Sequence, residues 1–170
     1  ATDNNGSTAT SVASVVVNNT NPSVDSVTIS PTPLYIDSTI SCTHTASDVD
    51  SGESQNVGYS WSRNGNPEGG SGTTYNGALS VGDTVTCTVT VSDNFGGSAS
   101  ASSTGSIDNR APSIVSVSLP SNVNSQTDIT VLVFATDLDN QNLTYTYAWF
   151  KQDASNGNTL VPIGLSLIHI

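Results

Sequence analysis

Two aspartate pairs at i, i+2 spacing, Asp48/Asp50 and Asp137/Asp139, are the side chains whose spacing most directly invites chemistry. A carboxylate pair can share acid–base work, hold a cation or cap a turn. Each pair closes an alternating run and opens a polar stretch, a setting that points to a metal or turn device rather than to catalysis. Asp83, Asp93, Asp108 and Asn109 add oxygen donors at other turns. Nucleophilic chemistry has less to work with. The two histidines are His44 and His169, and His169 stands beside the end of the chain, so no nucleophile–base pair is visible. The two cysteines and two histidines lack zinc spacing, and no Gly-rich loop joins a strand to a helix as a phosphate cradle requires. The sequence therefore predicts a chain that is not an enzyme.

The elements that must position these groups are strands. Ile40, Cys42, His44 and Ala46 alternate with Ser41, Thr43 and Thr45, and Val85, Cys87, Val89 and Val91 alternate with Thr84, Thr86, Thr88 and Thr90. Val57, Tyr59 and Trp61 alternate with Gly58, Ser60 and Ser62. A period of two with Thr on the wet face marks a strand with one buried side. Both cysteines fall at inward positions, so they can meet between two packed sheets or remain two buried thiols. The same parity reads His44 as a packing residue. Helix formers are scarce, with no Met and Lys151 as the one lysine, and the 35% hydrophobic content is concentrated in the alternating runs. Thin β-sandwiches fit that distribution better than disorder. The net charge is −11, with only Arg63, Arg110 and Lys151 positive, a surface that repels nucleic acid and anionic membranes. No apolar run is long enough to span a bilayer.

The chain also repeats itself. Asp3, Asn4, Gly6, Ala9, Asn19, Pro22, Ser23, Ser26 and Val27 recur 90 residues later as Asp93, Asn94, Gly96, Ala99, Asn109, Pro112, Ser113, Ser116 and Val117. With slightly smaller offsets, Ala46, Asp48 and Asp50 become Ala135, Asp137 and Asp139, while Tyr59 and Trp61 become Tyr147 and Trp149. Cys42 becomes Val131 and His44 becomes Val133, so an apolar residue serves at both places. These offsets divide the chain into the last strand of a preceding repeat (1–20), a complete repeat (21–110) and a partial second repeat (111–164). A sandwich without its last two strands keeps an open edge and should be loose. The apolar end, residues 165–170, stands apart. Leu-Ser-Leu-Ile-His-Ile translates CTG TCT CTT ATA CAC ATC, which looks like a transposase mosaic-end sequencing adapter. On that resemblance the natural sequence is expected to stop near Gly164.

The order Cys42, Trp61, Cys87 resembles an immunoglobulin-like domain, in which a disulfide between strands B and F packs on a strand-C Trp. It departs from that pattern at Val85, where the tyrosine-corner residue would stand, which points to a bacterial surface protein rather than an antibody-type domain. The resemblance implies a Cys42–Cys87 bridge, worth roughly 4 kcal/mol on the chain-entropy model, and an extracellular or cell-surface location. It implies an all-β fold of tandem Ig-like Greek-key sandwiches, one complete and two partial. A period near 90 in an acidic Ser/Thr-rich chain is similar to the tandem immunoglobulin-like, PKD-like or cadherin-like repeats of large bacterial surface proteins. The PKD hallmark Trp-Asp-Phe-Gly-Asp-Gly is absent, since residues 59–65 read Tyr-Ser-Trp-Ser-Arg-Asn-Gly.

Ala-x-Asp-x-Asp resembles the paired-Asp calcium motif of cadherins, and Ile107-Asp108-Asn109-Arg110-Ala111-Pro112 resembles their linker. In such a sandwich the B–C and F–G loops share the pole that receives the preceding linker, and the E–F loop lies at the other. That topology should gather Asp48, Asp50 and Asp93 near Asn18 and Asn19, and bring Asp83 towards Asp108, Asn109, Asp137 and Asp139. Calcium takes six to eight oxygens at about 2.3–2.6 Å, so the resemblance implies Ca2+ at both junctions, bound better at the second. The alternative is that these aspartates cap turns while Arg110 neutralises Asp108. The function expected is a structural spacer or adhesive stalk of a large secreted or cell-surface protein, whose partners are its neighbouring repeats. The competing expectation is an accessory carbohydrate-binding module, with Tyr35, Tyr75 and Phe95 as its exposed rings.

Overall fold

A computed structural model describes residues 1–50, 52, 55–122, 124, 126, 128–153 and 159–168. His169 and Ile170, the last two residues of the adapter-like stretch, lie outside the described residues. Among the described residues ten strands occur in chain order: β1 Ser23–Ser30, β2 Ser41–Ser47, β3 Asn56–Arg63, β4 Asn66–Glu68, β5 Thr84–Ser92, β6 Ser98–Ser106, β7 Ser113–Ser118, β8 Leu132–Thr136, β9 Tyr145–Asp153 and β10 Thr159–Ile168. All pairing is antiparallel, and no helix occurs among the described residues. Two compact units result. The first comprises Ala1–Leu34, Ser38–Ala78 and Asp83–Ser106, and the second comprises Tyr35–Asp37, Leu79–Gly82 and Ile107–Ile170.

The first unit is sandwich-like. A two-stranded sheet, β1–β2, packs through β1 and β2 on a four-stranded sheet ordered β4–β3–β5–β6. Its core is the alternation seen in the sequence. Ile40, Cys42, Val85, Cys87, Val89 and Val91 are all buried, joined by Ile29, Leu34, Trp61 and Tyr75. Cys42 and Cys87 form a disulfide with a Cα–Cα distance of 6.4 Å. Trp61 sits opposite Cys87 in the β3–β5 register and its indole Nε1 donates to the Gly72 carbonyl at 2.9 Å. Thr73–Tyr75 runs beside the start of β2, with Cys42 N donating to Thr73 O and Tyr75 N to Ile40 O. Burial falls along β3 from Trp61 to Val57, which is 41% exposed.

Turn chemistry sets the ends of these strands. Asn64 and Gly65 have φ of 51° and 78°, the left-handed pair a two-residue hairpin needs, and Arg63 accordingly faces Asn66. The Asn64 amide then locks the turn to the start of β5, donating to Asp83 Oδ1 at 2.7 Å and accepting from Thr84 N at 2.8 Å. β1 stops at Ser30, before Pro31, which has no N–H for a ladder.

The second unit repeats the first strand pair in detail. In the first, Val24 faces Ala46, the register slips between Val24 and Ser26, and Val27 faces His44. In the second, Ile114 faces Ala135, the slip falls between Ile114 and Ser116, and Val117 faces Val133. The offset is 90 on one strand (114 − 24) and 89 on the other (135 − 46). β9 pairs with β10, and Leu165–Ile168 of the adapter-like stretch belongs to β10. Cover is where the units differ. β1 lies against β5 and β6, whereas β7 has β8 as its principal neighbour, and its Ile114 and Val117 are exposed. Ile107 and Asp139 are the buried residues among those described in the second unit.

The start of the chain repeats the β5–β6 turn. Asp3 N donates to Ser7 O while Asp3 Oδ1 accepts from Asn5 N and Ser7 N, with Thr2 bridged to Thr8. Asp93 N likewise donates to Gly97 O, and Asp93 Oδ1 accepts from Phe95 N and Gly97 N, with Ser92 opposite Ser98. Beyond this tip, residues 9–20 form no strand, and Val12, Val15, Val16 and Val17 are exposed. The last strand expected there is not formed among the described residues.

The disulfide is open to direct measurement. Alkylation of the folded, non-reduced chain is expected to find no free thiol, and two alkylated cysteines would contradict the bridge. Replacing Cys42 by Val and Cys87 by Ala should keep the fold and lower its stability by no more than about 4 kcal/mol.

Candidate functional site

The paired aspartates stand where β2 and β8 run out into turns, and each pair makes the same bonds. Asp50 N donates to Asp48 Oδ1 at 3.0 Å, and Asp139 N donates to Asp137 Oδ1 at 2.7 Å. The first aspartate thus folds the loop over itself in an Asx-type turn and presents the second. Its carboxylate then receives a backbone amide from upstream chain: Thr20 N reaches Asp50 Oδ2 at 2.6 Å, and Arg110 N reaches Asp139 Oδ2. Thr20 and Arg110 are themselves 90 residues apart.

At the second loop a side chain joins the amide. Arg110 donates through Nε and Nη2 to Asp139 Oδ1 at 3.0 and 2.8 Å. It also donates through Nη2 to the Leu138 carbonyl at 3.2 Å and through Nη1 to Asp37 Oδ2 at 3.1 Å. Its guanidinium lies 4.7 Å from the centroid of the Tyr35 ring, a cation–π distance. The Asp139 side chain is fully buried beneath it. The Arg110 amide holds the Asp139 carboxyl below the usual carboxylate range; burial opposes this and the guanidinium reinforces it. Asp139 and Asp37 raise Arg110 further above its ordinary value. Arg110, which the alternative reading set against Asp108, pairs with Asp139 and Asp37, because the fold brings those two to its fork.

Among the described residues, Asp93 is the other buried carboxylate. Its Oδ2 accepts from Asn19 Nδ2 at 2.9 Å, while its Oδ1 caps the turn through Phe95 N and Gly97 N. The Asn19 amide holds the Asp93 carboxyl low, against the cost of burial, and the turn amides add to the effect. A Cβ at position 97 would stand 2.2 Å from Asp93 Oδ2 and 2.8 Å from Asn21 Oδ1, so the close approach requires Gly97. Where Asp48, Asp50 and Asp93 were expected near Asn18 and Asn19, Asp50 reaches the Thr20 amide and Asp93 the Asn19 side chain. Asp83, expected with the second set, bonds Asn64 and lies 3.6 Å from Arg63 Nη1. Asp108 and Asn109 are exposed.

The donor set does not fit calcium. Among the described residues no three His, Cys, Asp or Glu side chains gather as a metal group. Both Asp139 oxygens are taken by Arg110 N–H donors, and those of Asp93 by amides. Asp48 Oδ2 is buried with no hydrogen-bond partner, but one such oxygen falls far short of six to eight.

The expected glycan rings also come out differently. Tyr75 is buried rather than exposed, packed edge-on at 5.6 Å from Trp61, and a Cβ on Gly77 would strike its ring. Burial pushes the Tyr75 hydroxyl up, with Glu68 adding to the rise. Tyr35 is half-buried under Arg110, and only Phe95 stands in solvent. His44 accepts or donates a 2.8 Å bond through Nδ1 with the Tyr59 hydroxyl and packs edge-on against that ring. No family model matches the chain, and no curated protein or solved structure matches it.

The buried carboxylates set a pH response. Their folded-state pKa values lie below the unfolded carboxylate value of about 3.9, so their contribution is complete above it and is lost as pH falls through the folded values. The melting temperature should therefore drop as pH is lowered from about 5 to about 3, and Asp93→Asn with Asp139→Asn should flatten that drop. A melting temperature that holds or rises over this range would contradict it.

Proposed function

We propose that the chain is a run of tandem immunoglobulin-like, Greek-key sandwich repeats that serves as a spacer or adhesive stalk in a large secreted or cell-surface protein. The observation that carries this reading is the shared register of β1–β2 and β7–β8, bulge included. The twin turns at Asp3 and Asp93 and the twin aspartate loops support it further. Within the first unit, the faced sheets, the disulfide on strand-B and strand-F equivalents and the Trp61 ring against Tyr75 suit an immunoglobulin-like plan. A disulfide fits an oxidising compartment. His44 is engaged in packing, which favours a non-catalytic role.

The glycan reading has one observation in its favour. An open hollow of about 290 Å³ is lined by Val117, Val131, Tyr147, Trp149 and Phe150 among others. It offers rings for stacking but, apart from the Tyr147 hydroxyl and the Trp149 indole N–H, no polar side-chain group to bond sugar hydroxyls. A spacer is the better account.

Stretching the chain between its ends separates these readings. A stalk repeat should resist in a discrete step, and reduction should release about 150 Å more, since the 45-residue span between the cysteines leaves the load path while bridged. Extension without a resisting step, or retention on immobilised polysaccharide abolished by Trp149→Ala or Phe95→Ala, would overturn the proposal.

A further inference from the structure

We infer that the Asp-x-Asp loop is a latch for the backbone entering each repeat, and that at the second loop the Arg110 guanidinium occupies the role a bound cation would otherwise fill. The inference rests on the tandem reading only in naming residues 20 and 110 as entering chain; the contacts stand without it.

Three features carry it. The first is recurrence: in each unit one aspartate shapes the loop through its partner's amide, and the partner's carboxylate captures a single upstream N–H. A metal motif would turn carboxylate oxygens towards a common point, whereas here they turn towards amides. The second is charge balance at the second loop. Asp37 and Asp139 converge on one side chain of the chain's own, and the planar fork meets Oδ1 of Asp139 while the Arg110 backbone amide meets Oδ2. Calcium would have to displace four N–H donor contacts and a cation stacked on Tyr35 to reach the same oxygens. The third is burial. An unpaired carboxylate as deep as Asp139 would be costly, and Arg110 removes that cost without an exogenous ion.

The latch is therefore graded by one residue. Thr20 supplies only its amide, so the first loop holds the chain by a single charge-assisted bond. Arg110 supplies its amide and its fork, so the second holds by several. Side-chain choice at this position sets how firmly each repeat grips the chain that leads into it, with no dependence on calcium supply.

Amide exchange by nuclear magnetic resonance on the full ¹⁵N-labelled chain tests this. The Thr20 and Arg110 amides should exchange with water at least about tenfold more slowly than neighbouring exposed amides, Arg110 the slower. Asp50→Asn should speed Thr20 alone and Asp139→Asn should speed Arg110 alone, with β3 and β5 amides unchanged as the control for folding. Arg110→Lys should keep part of the protection. Millimolar calcium or a chelator should move none of these signals. Exchange of both amides at the unprotected rate would overturn the latch. Calcium-dependent shifts at Asp137 or Asp139 would overturn the guanidinium's role. Neither result bears on whether the chain resists stretching, so the two proposals fail separately.

Discussion

The structure depends on one burial event, the packing of alternate residues of β5 against β2 and Trp61. Val85, Cys87, Val89 and Val91 face inwards because a strand's side chains alternate, and Thr84, Thr86, Thr88 and Thr90 fall outside for the same reason. A slip of one residue would turn that whole set to water, so hydrophobicity fixes the register of β5 with β3 and β6, and the Asn64 turn reinforces it at the start of β5. The Cys42–Cys87 bond then ties the two sheets at the point where each is most deeply buried. With these strands in place, the loops at their ends have little freedom. The aspartates held in those loops act on what the core brings to them.

What they act on is main chain. In a chain with 14 acidic and three basic residues, the buried carboxylates are stabilised by the chain's own N–H groups, neutral at Asp93 and partly a guanidinium's at Asp139. Asp93 spends both oxygens on the Asn19 side chain and its own turn. Asp139 receives Arg110, one of the few positive side chains, through backbone and fork together. Arg63, another, pairs with Glu68 at 3.0 Å on the β3–β4 hairpin. Acidic surface and buried carboxylates are thus different populations, and the buried ones organise turns.

Much of this was legible in the sequence because it is local. Apolar–polar alternation marked β2, β3 and β5, and recurrences of 90 and 89 residues marked the second strand pair. Tyr75 was not legible, since it lies outside any alternating run; the nearby Gly77, which makes room for its ring, was the only sign. The partner of Arg110 was misjudged because Asp108 is close in sequence, whereas Asp139 is brought close by the fold. The metal reading turns on a related point. An i, i+2 aspartate pair looks the same whether its oxygens converge on an ion or fan out to amides, and only the position of residues 20 and 110 decides between them.

The central claim is that one structural plan is written twice in this chain, and cross-strand proton–proton contacts measured by nuclear magnetic resonance test it most directly. The account requires Val27 opposite His44 and Val117 opposite Val133, with a bulge at Asp25 and another at Val115. Contacts placing either pair one residue out of step, or a bulge in one strand pair and none in the other, would contradict it.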